Sequence, residues 1–311
     1  VLMNLCGESG EPKYHPFDPD SAPADLSRAD RFILHRFNET VRESTRLLEE
    51  YELGEAAREV YEFIWHDFCD WYVEFSKHYL YRQNAAETAH AERERTRGIL
   101  LFVLDGVLRL IHPFMPFISE EIWRHLPHRE GALVGAAWPR FRTSLCFPEA
   151  AREMALVQET IRAVRNLRSQ VNLPPGRKAP LLLRASGRAA VSLDEERHQL
   201  ARMTFAEPVE ISAYTAKPGQ AIAAIIGEEV EAYLPLTGII DLSAEIARLE
   251  KELFQVNTEL RQAEGKLKNP GFCEKAPAEV VAAVQARREE SLVKQAKLSA
   301  RLAEIQPNRG S

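Results

Sequence analysis

The chain has 311 residues, of which 45% are apolar and 28% charged, a composition typical of a folded globular protein that excludes disordered and collagen-like chains. No segment approaches the roughly 18 to 20 uninterrupted apolar residues of a membrane-spanning helix, and the N-terminus has no basic, apolar leader. We therefore expect a cytoplasmic protein with no membrane partner. The net charge of −6 argues against a protein that binds nucleic acid through its bulk charge alone.

Catalytic and metal-binding signatures are absent from the sequence. The four cysteines, Cys6, Cys69, Cys146 and Cys273, are far apart, so no CxxC pair exists to bind zinc. The motifs GxGxxG, GxxxxGK, HExxH and GxSxG do not occur. Histidine and aspartate do lie close together within residues 66–70, but a polar stripe on one helix is more often structural than catalytic. We predict no catalytic residue, no metal site and no cofactor in this chain.

Residues 1–26 are predicted to be an irregular lead-in, because 7–26 contain four prolines and two glycines without a sustained apolar period. The first residue is Val1 and not methionine, so we expect the chain to be a piece of a longer polypeptide.

Residues 27–159 show helical periodicity. Apolar residues recur three and four positions apart after Ser27, and from Leu53 to Tyr81 they cover most of the helix circumference. A third apolar segment stops at His112-Pro113, because proline cannot donate a helical hydrogen bond, and shorter helices follow. Long helices joined by short turns, without strand-like alternation, predict an antiparallel helix bundle.

The pattern changes after a helix predicted over Glu149 to Val171. Two prolines and a glycine stop that helix at 174–176, and short β-branched or alternating runs follow between further glycines and prolines. These runs are 180–184, 209–213, 220–226 and 230–236. A small α+β connector is therefore predicted over 160–238.

Apolar residues then recur in an unbroken heptad pattern. They are Leu242, Ile246, Leu249, Leu253, Val256, Leu260, Ala263 and Leu267. Asn269-Pro270-Gly271 ends this helix, and a second helix with a weaker seam is predicted from 277 to 305. Two helices joined by a loop of about ten residues fold most simply into a hairpin. We therefore predict an antiparallel coiled-coil arm over 239–306, attached to a mainly α-helical protein.

Residues 160–193 contain seven arginines and lysines and no acid, which is unusual in an acidic protein. Arg165, Arg168 and Asn172 are three and four positions apart, so one helix face could bind successive phosphates. Equally, these side chains could form a solvated face that balances acidic neighbours. The aromatic residues within 65–72 are similarly ambiguous, since helical spacing favours core positions over platforms for nucleic-acid bases.

Three motifs follow one another in the helical region. They are ADRFIL at 29–34, YEFIWHDFCDWY at 61–72 and HPFMPFISEEIW at 112–123. Together they resemble the anticodon-binding helical domain of class I aminoacyl-tRNA synthetases, in the branch that activates valine, isoleucine and leucine. IRAVRNLR at 161–168 and YLPLTGIID at 233–241, followed by the heptads, are similar to the valyl members, which end in an antiparallel coiled-coil arm.

The resemblance implies that the chain is the tRNA-recognition portion of a valine–tRNA ligase. Its bundle would bind the anticodon stem-loop, and its arm would bind the outer corner of the tRNA. The family's catalytic motifs, His-Ile-Gly-His and Lys-Met-Ser-Lys-Ser, do not occur here. ATP and magnesium would therefore belong to the catalytic half of the parent enzyme, which attaches valine to tRNA, and this chain alone would be inactive. Valine-specific tRNA and that catalytic half are the expected partners, without DNA, and a monomer is expected.

The resemblance also implies particular tRNA-binding residues. In the bundle they are Arg31, Arg36, Asn38, Trp65, Asp70, Trp71 and Lys77. In the basic helix they are Arg165 and Arg168, and in the arm they are Arg261, Lys266, Lys268 and Arg287. Two alternatives are a non-catalytic scaffold that uses its heptad seam to pair with another protein, and a free-standing tRNA-binding paralogue.

Overall fold

The structure is a computed structural model that describes residues 17–21, 25–81, 87–127, 131–238, 242–269, 271–272 and 276–305. Most of the predicted lead-in and part of the predicted hairpin loop lie outside these residues, as do Cys6 and Cys273. The chain forms two compact units, residues 1–158 and 159–311. None of the described helices is long and apolar enough to cross a membrane. The division into three domains stays a prediction, whereas the mainly α-helical class is confirmed.

The first unit is built from helices. They are α1 (Arg28–Glu49), α2 (Leu53–Glu62), a π-helical segment (Phe63–Tyr72), α3 (Val73–Leu80), α4 (Glu87–Ile111), α5 (Pro116–Arg124) and α6 (Pro148–Gln170), whose last residues belong to the second unit. Short 3₁₀ turns occupy Leu133–Gly135 and Thr143–Leu145. Helix α1 begins with a capping box, in which Ser27 Oγ accepts a hydrogen bond from Asp30 N and the Asp30 carboxylate accepts one from Ser27 N.

The bundle core lies between α1, α4 and the continuous helix formed by α2, the π-helical segment and α3. Phe37 of α1 packs against Phe63 and Phe102, with ring centroids 5.9 and 5.7 Å away. Gly106 of α4 allows this packing, because a Cβ atom there would lie 2.1 Å from Phe37 Cζ. The predicted antiparallel bundle thus depends on one glycine for the close approach of α1 and α4.

The second unit contains a four-stranded sheet and two short helices. The strands are β1 (Ala179–Ala185), β2 (Ala206–Ser212), β3 (Ala221–Ile226) and β4 (Val230–Pro235), and α7 (Gly187–Glu195) and α8 (Arg197–Thr204) connect β1 to β2. The order across the sheet is β2-β1-β4-β3. Strands β1 and β2 are parallel, while β4 is antiparallel to both β1 and β3. All four predicted strands are therefore present.

The arm consists of α9 (Leu242–Leu267) and α10 (Ala278–Ile305). Its seam follows the predicted heptads, since Leu249, Val256, Leu260 and Ala263 are buried on α9. Ion pairs establish that the helices run in opposite directions. Glu252 of α9 pairs with Lys294 of α10. Glu259, seven residues later on α9, pairs with Arg287, which is seven residues earlier on α10. The antiparallel hairpin is confirmed.

Candidate nucleic-acid interface

The bundle presents two aromatic side chains to solvent, at the junction of α2 and the π-helical segment. Tyr61 is 55% exposed and Trp65 is 50% exposed, and their ring centroids lie 6.1 Å apart. Large aromatic rings are more often buried than left in water, while unpaired nucleic-acid bases stack readily on such rings. Trp65 of the predicted set is thus available for stacking. Tyr61 was missed, although its position four residues before Trp65 was a signal for a shared helix face.

Trp71 does not share that surface. It is only 4% exposed, and its ring stacks on Phe75 with centroids 5.6 Å apart. Trp71 follows Trp65 by six residues, which at 3.6 residues per turn places the two rings about 120° apart around the helix axis. Trp71 thus belongs to the bundle core, and its contact with tRNA stays a prediction.

Several charged side chains of the bundle are paired with one another. Arg36 Nε donates to Asp67 Oδ2 at 2.9 Å, so this arginine is paired with a neighbouring helix. Asp70 is exposed and lies 3.6 Å from His66, and Lys77 is bonded to Glu74 one turn earlier. Exposed pairs of this kind contribute little stability and exchange readily with other partners. Asp70 and Lys77 therefore remain candidates.

Asn38 has a structural role. It is 1% exposed, its amide nitrogen donates to Arg142 O at 2.8 Å, and its amide oxygen accepts from Arg142 N at 2.8 Å. Both polar groups of the side chain are thus used to fix the segment before α6. The contact of Asn38 with tRNA stays a prediction. Arg31, on the same helix, is partly buried.

Two residues of the quoted motifs contact each other in the interior. Asp30 accepts a hydrogen bond from the Tyr72 hydroxyl at 2.8 Å, and Arg95 lies 3.6 Å from the same carboxyl group. Burial raises the pKa of Asp30, against the opposing effects of these polar neighbours. Burial likewise raises the pKa of Tyr72, and the adjacent carboxylate adds to that shift. Their hydrogen bond links α1 to the π-helical segment.

Arg168 is buried at 6% exposure, near the C-terminus of α6. Its guanidinium donates to the carbonyl oxygens of Arg177 at 2.7 Å, Pro174 at 3.0 Å, Pro175 at 3.3 Å and Phe205 at 3.4 Å. Burial lowers the pKa of this arginine. The guanidinium holds the turn after α6, and the role of Arg168 in binding phosphate stays a prediction.

In the rest of the basic segment, some basic side chains form ion pairs and others are exposed. Arg165 is exposed and donates to Met203 O at 3.0 Å. Lys178 pairs with Glu207 of β2, and Arg184 pairs with Glu231 of β4. Asn172 lies beyond the end of α6 with a φ of 49°, so it does not extend the face of Arg165. Acids from neighbouring strands thus balance part of this segment.

The arm exposes several basic side chains. Arg261, Lys266 and Lys268 are exposed on α9 or directly after it. Arg287, by contrast, lies 3.6 Å from Glu259 across the hairpin. Among the described residues, no group of histidine, cysteine and acidic side chains could hold a metal ion. The arrangement offers basic side chains for phosphate and exposed rings for bases.

Comparison with known families gives two matches along the chain. Residues 30–183 match the family described as the anticodon-binding domain of tRNA ligase, and residues 241–306 match the valyl tRNA synthetase tRNA binding arm. The chain is 42% identical to the valine–tRNA ligase of Geobacillus stearothermophilus over 306 residues, and 38% identical to that of Bacillus subtilis over the same length. Each alignment covers 98% of this chain and 33% of the relative.

The helix bundle followed by a coiled-coil arm defines the class: a tRNA-recognition region that combines an anticodon-binding domain with a tRNA-binding arm. The second match is to a family described for valyl tRNA synthetase, and the relatives align with nearly the whole chain. The chain belongs to the valine–tRNA ligase family and corresponds to a C-terminal region of that enzyme. It spans about one third of the length of the relatives that it matches.

Proposed function

We propose that this chain recognises valine-accepting tRNA, as the tRNA-binding part of an enzyme that joins valine to tRNA at the expense of ATP. The bundle binds the anticodon stem-loop and the arm binds the outer corner of the tRNA. One observation carries this proposal: the chain combines an anticodon-binding domain with the arm that distinguishes valyl enzymes. The valine–tRNA ligase names of the relatives support the choice of amino acid.

Affinity and selectivity have different sources in this proposal. Basic side chains bind phosphates, which gives affinity that falls with salt but little sequence information. Selectivity comes from unpaired anticodon bases, which stack on exposed rings and bond to polar groups. The exposed rings of Tyr61 and Trp65, with the carboxylate of Asp70 nearby in sequence, provide both kinds of group on the bundle.

Catalysis belongs to the part of the family's polypeptide that lies outside this chain. ATP and magnesium are bound there, and the present chain requires no cofactor of its own. It acts as a monomer, and its protein partner is the catalytic part of the same polypeptide. Supporting this view, the apolar seam of α9 is covered by α10 of the same chain, so the seam does not require a second protein. No observation favours the scaffold alternative.

A binding titration tests the proposal. Fluorescein-labelled valine tRNA is titrated with the 311-residue chain by anisotropy, beside the same tRNA with a mismatched anticodon. We expect tighter binding to the cognate tRNA and a loss of affinity with rising salt. Equal, salt-insensitive binding to both would overturn the proposal. Sedimentation of the free chain checks the monomer, because a dimer at micromolar concentration would contradict it.

Matched tryptophan variants locate the anticodon contact. Trp65→Ala removes an exposed ring, and we expect a loss of affinity of about 5-fold or more, the effect of one stacked base, with little change in thermal stability. Trp71→Ala removes a buried ring and serves as the control, because it should lower thermal stability. If Trp65→Ala binds both tRNAs as the wild type does, the exposed ring is not the contact.

A further inference from the structure

One face of the arm combines exposure with an unusual choice of side chains. Opposite the apolar seam, α9 and the residue after it present Lys251, Phe254, Thr258, Arg261, Gly265 and Lys268, spaced three and four positions apart. We name this set the outer stripe. It contains three basic residues and no acid, and five of its members are exposed, Thr258 being intermediate. The flanking Gln255 and Gln262 are exposed amides.

The acids of α9 lie elsewhere, beside the seam. Glu252, Glu259 and Glu264 form ion pairs across the hairpin with Lys294 at 3.1 Å, Arg287 at 3.6 Å and Arg288 at 3.7 Å. Charge on α9 is therefore segregated. The acids of α9 and the bases of α10 with which they pair neutralise each other along the boundary between the two helices. Among the described residues, the basic side chains of the outer stripe form no ion pair.

The corresponding outer face of α10 has the opposite character. Its exposed charged side chains are Glu279, Glu289, Glu290 and Lys297, and the other positions are mostly alanine, with the exposed Val293 among them. An acidic face repels a phosphate backbone, while the outer stripe attracts one. The two outward surfaces of the arm thus differ in charge, and only the one on α9 suits a polyanion.

Two uncharged members of the outer stripe are unexplained by folding. Phe254 is 67% exposed, so its ring does not contribute to the seam. Gly265 lies inside the helix, where glycine is unfavourable, yet a Cβ atom there would meet nothing within 4 Å. Neither packing nor backbone conformation requires glycine at this position. A bare helix backbone does, however, permit close approach of another molecule.

We propose that the outer stripe is the tRNA-binding surface of the arm, and that α10 faces away from the RNA. Lys251, Arg261 and Lys268 bind phosphates, Phe254 stacks on an exposed base, and Gly265 allows the sugar-phosphate backbone to approach the helix. Lys251 and Arg261 are separated by about 15 Å along the helix, so they contact different phosphates. This inference rests on the proposed function and adds the face and the residues that make the contact.

The same charge reversal, made on each of the two helices, tests the inference. Arg261→Glu changes the outer stripe by two charge units, and Lys297→Glu makes the same change on the outer face of α10. With labelled valine tRNA, we expect Arg261→Glu to weaken binding by at least about tenfold, the loss of one charge-assisted contact. It should also reduce the slope of log affinity against log salt by about 0.7 to 0.9. Lys297→Glu should bind within twofold of the wild type.

Uncharged variants separate RNA contact from net charge and from folding. Phe254→Ala should weaken binding by about 5-fold or more, as expected for one stacked base. Gly265→Ala should raise the melting temperature, because alanine favours helix, and yet weaken binding to tRNA. Loss of affinity in a more stable variant excludes unfolding as the cause. A more stable Gly265→Ala with unchanged affinity would overturn the assignment of the backbone contact.

A short RNA distinguishes failure of the inference from failure of the proposed function. An isolated anticodon stem-loop lacks the corner of the tRNA, so Arg261→Glu should bind it as the wild type does. If the wild-type chain binds no tRNA selectively, the proposed function fails. If it does bind selectively, but Arg261→Glu and Lys297→Glu have equal effects on full-length tRNA, the outer stripe is not the RNA surface, and a protein partner would be its next candidate.

Discussion

Replacing Arg168 by alanine removes one buried guanidinium and leaves the carbonyl groups around it without their donor. Four carbonyl oxygens accept from this side chain, and three of them belong to residues 174–177, in the turn that follows α6. The turn contains two consecutive prolines, which have no N–H groups to satisfy neighbouring carbonyls. We therefore expect Arg168→Ala to destabilise the second unit and to leave its RNA-binding surfaces otherwise intact.

The expected loss follows from the geometry of the bonds. The bonds to Arg177 O and Pro174 O, at 2.7 and 3.0 Å, have good lengths, and a hydrogen bond to a charged group contributes about 1.5 to 3 kcal/mol. The other two are longer and weaker. Because the residues of the turn are exposed, water can replace part of what is lost, so we expect about 3 kcal/mol. The melting temperature should fall by about 6 to 12 °C.

Thermal unfolding by circular dichroism measures this change, and tRNA titration at 20 °C measures binding by the same variant. Arg165→Ala is the matched control, because that side chain is exposed and donates to a single carbonyl, so its melting temperature should change by less than about 3 °C. The reasoning is refuted if Arg168→Ala has the same melting temperature as the wild type and binds tRNA more weakly. In that case the guanidinium would act on RNA and not on the turn.

Three further substitutions test other contacts. Asn38→Ala should lower the free energy of unfolding by about 2 to 3 kcal/mol in urea titrations, because it leaves a backbone N–H and a C=O unbonded. Gly106→Ala should lower it by about 1 to 2 kcal/mol by the same assay, since the methyl group collides with the ring of Phe37. The hydrogen bond from the Tyr233 hydroxyl is the main cause of a lowered pKa of Glu231. The ionised Glu231 carboxylate therefore stabilises the fold above the ordinary glutamate pKa, and this stabilisation is lost as the pH falls through the lowered pKa. The urea midpoint of the wild type should therefore exceed that of Glu231→Gln at pH 7, and the difference should shrink below about pH 4; a difference that grows on acidification would contradict the shift.

Local patterns were sufficient for most elements of the fold. The heptads of α9 predicted the buried seam, because a 3.5-residue repeat must face a partner over its whole length. The prolines and glycines after 172 predicted the change from helix to short strands. The π-helical segment was not predicted, because its hydrogen-bonding pattern has no clear signature in residue type. Trp65 and Trp71 both lie in this segment, yet one is exposed and the other is buried, because they lie on different sides of the helix.

For the candidate interface, the sequence alone determined the kinds of groups available and the family to which they belong. It could not determine which of those groups are free to touch RNA. Arg168 and Arg261 are the same residue type in basic surroundings, yet one is surrounded by carbonyl groups and the other is exposed on the arm. Likewise, the acids of α9 are interleaved with its bases in the sequence, and only the hairpin reveals that cross-helix pairing neutralises the acids. Exposure and pairing depend on residues distant in the sequence, so the tertiary structure decided them.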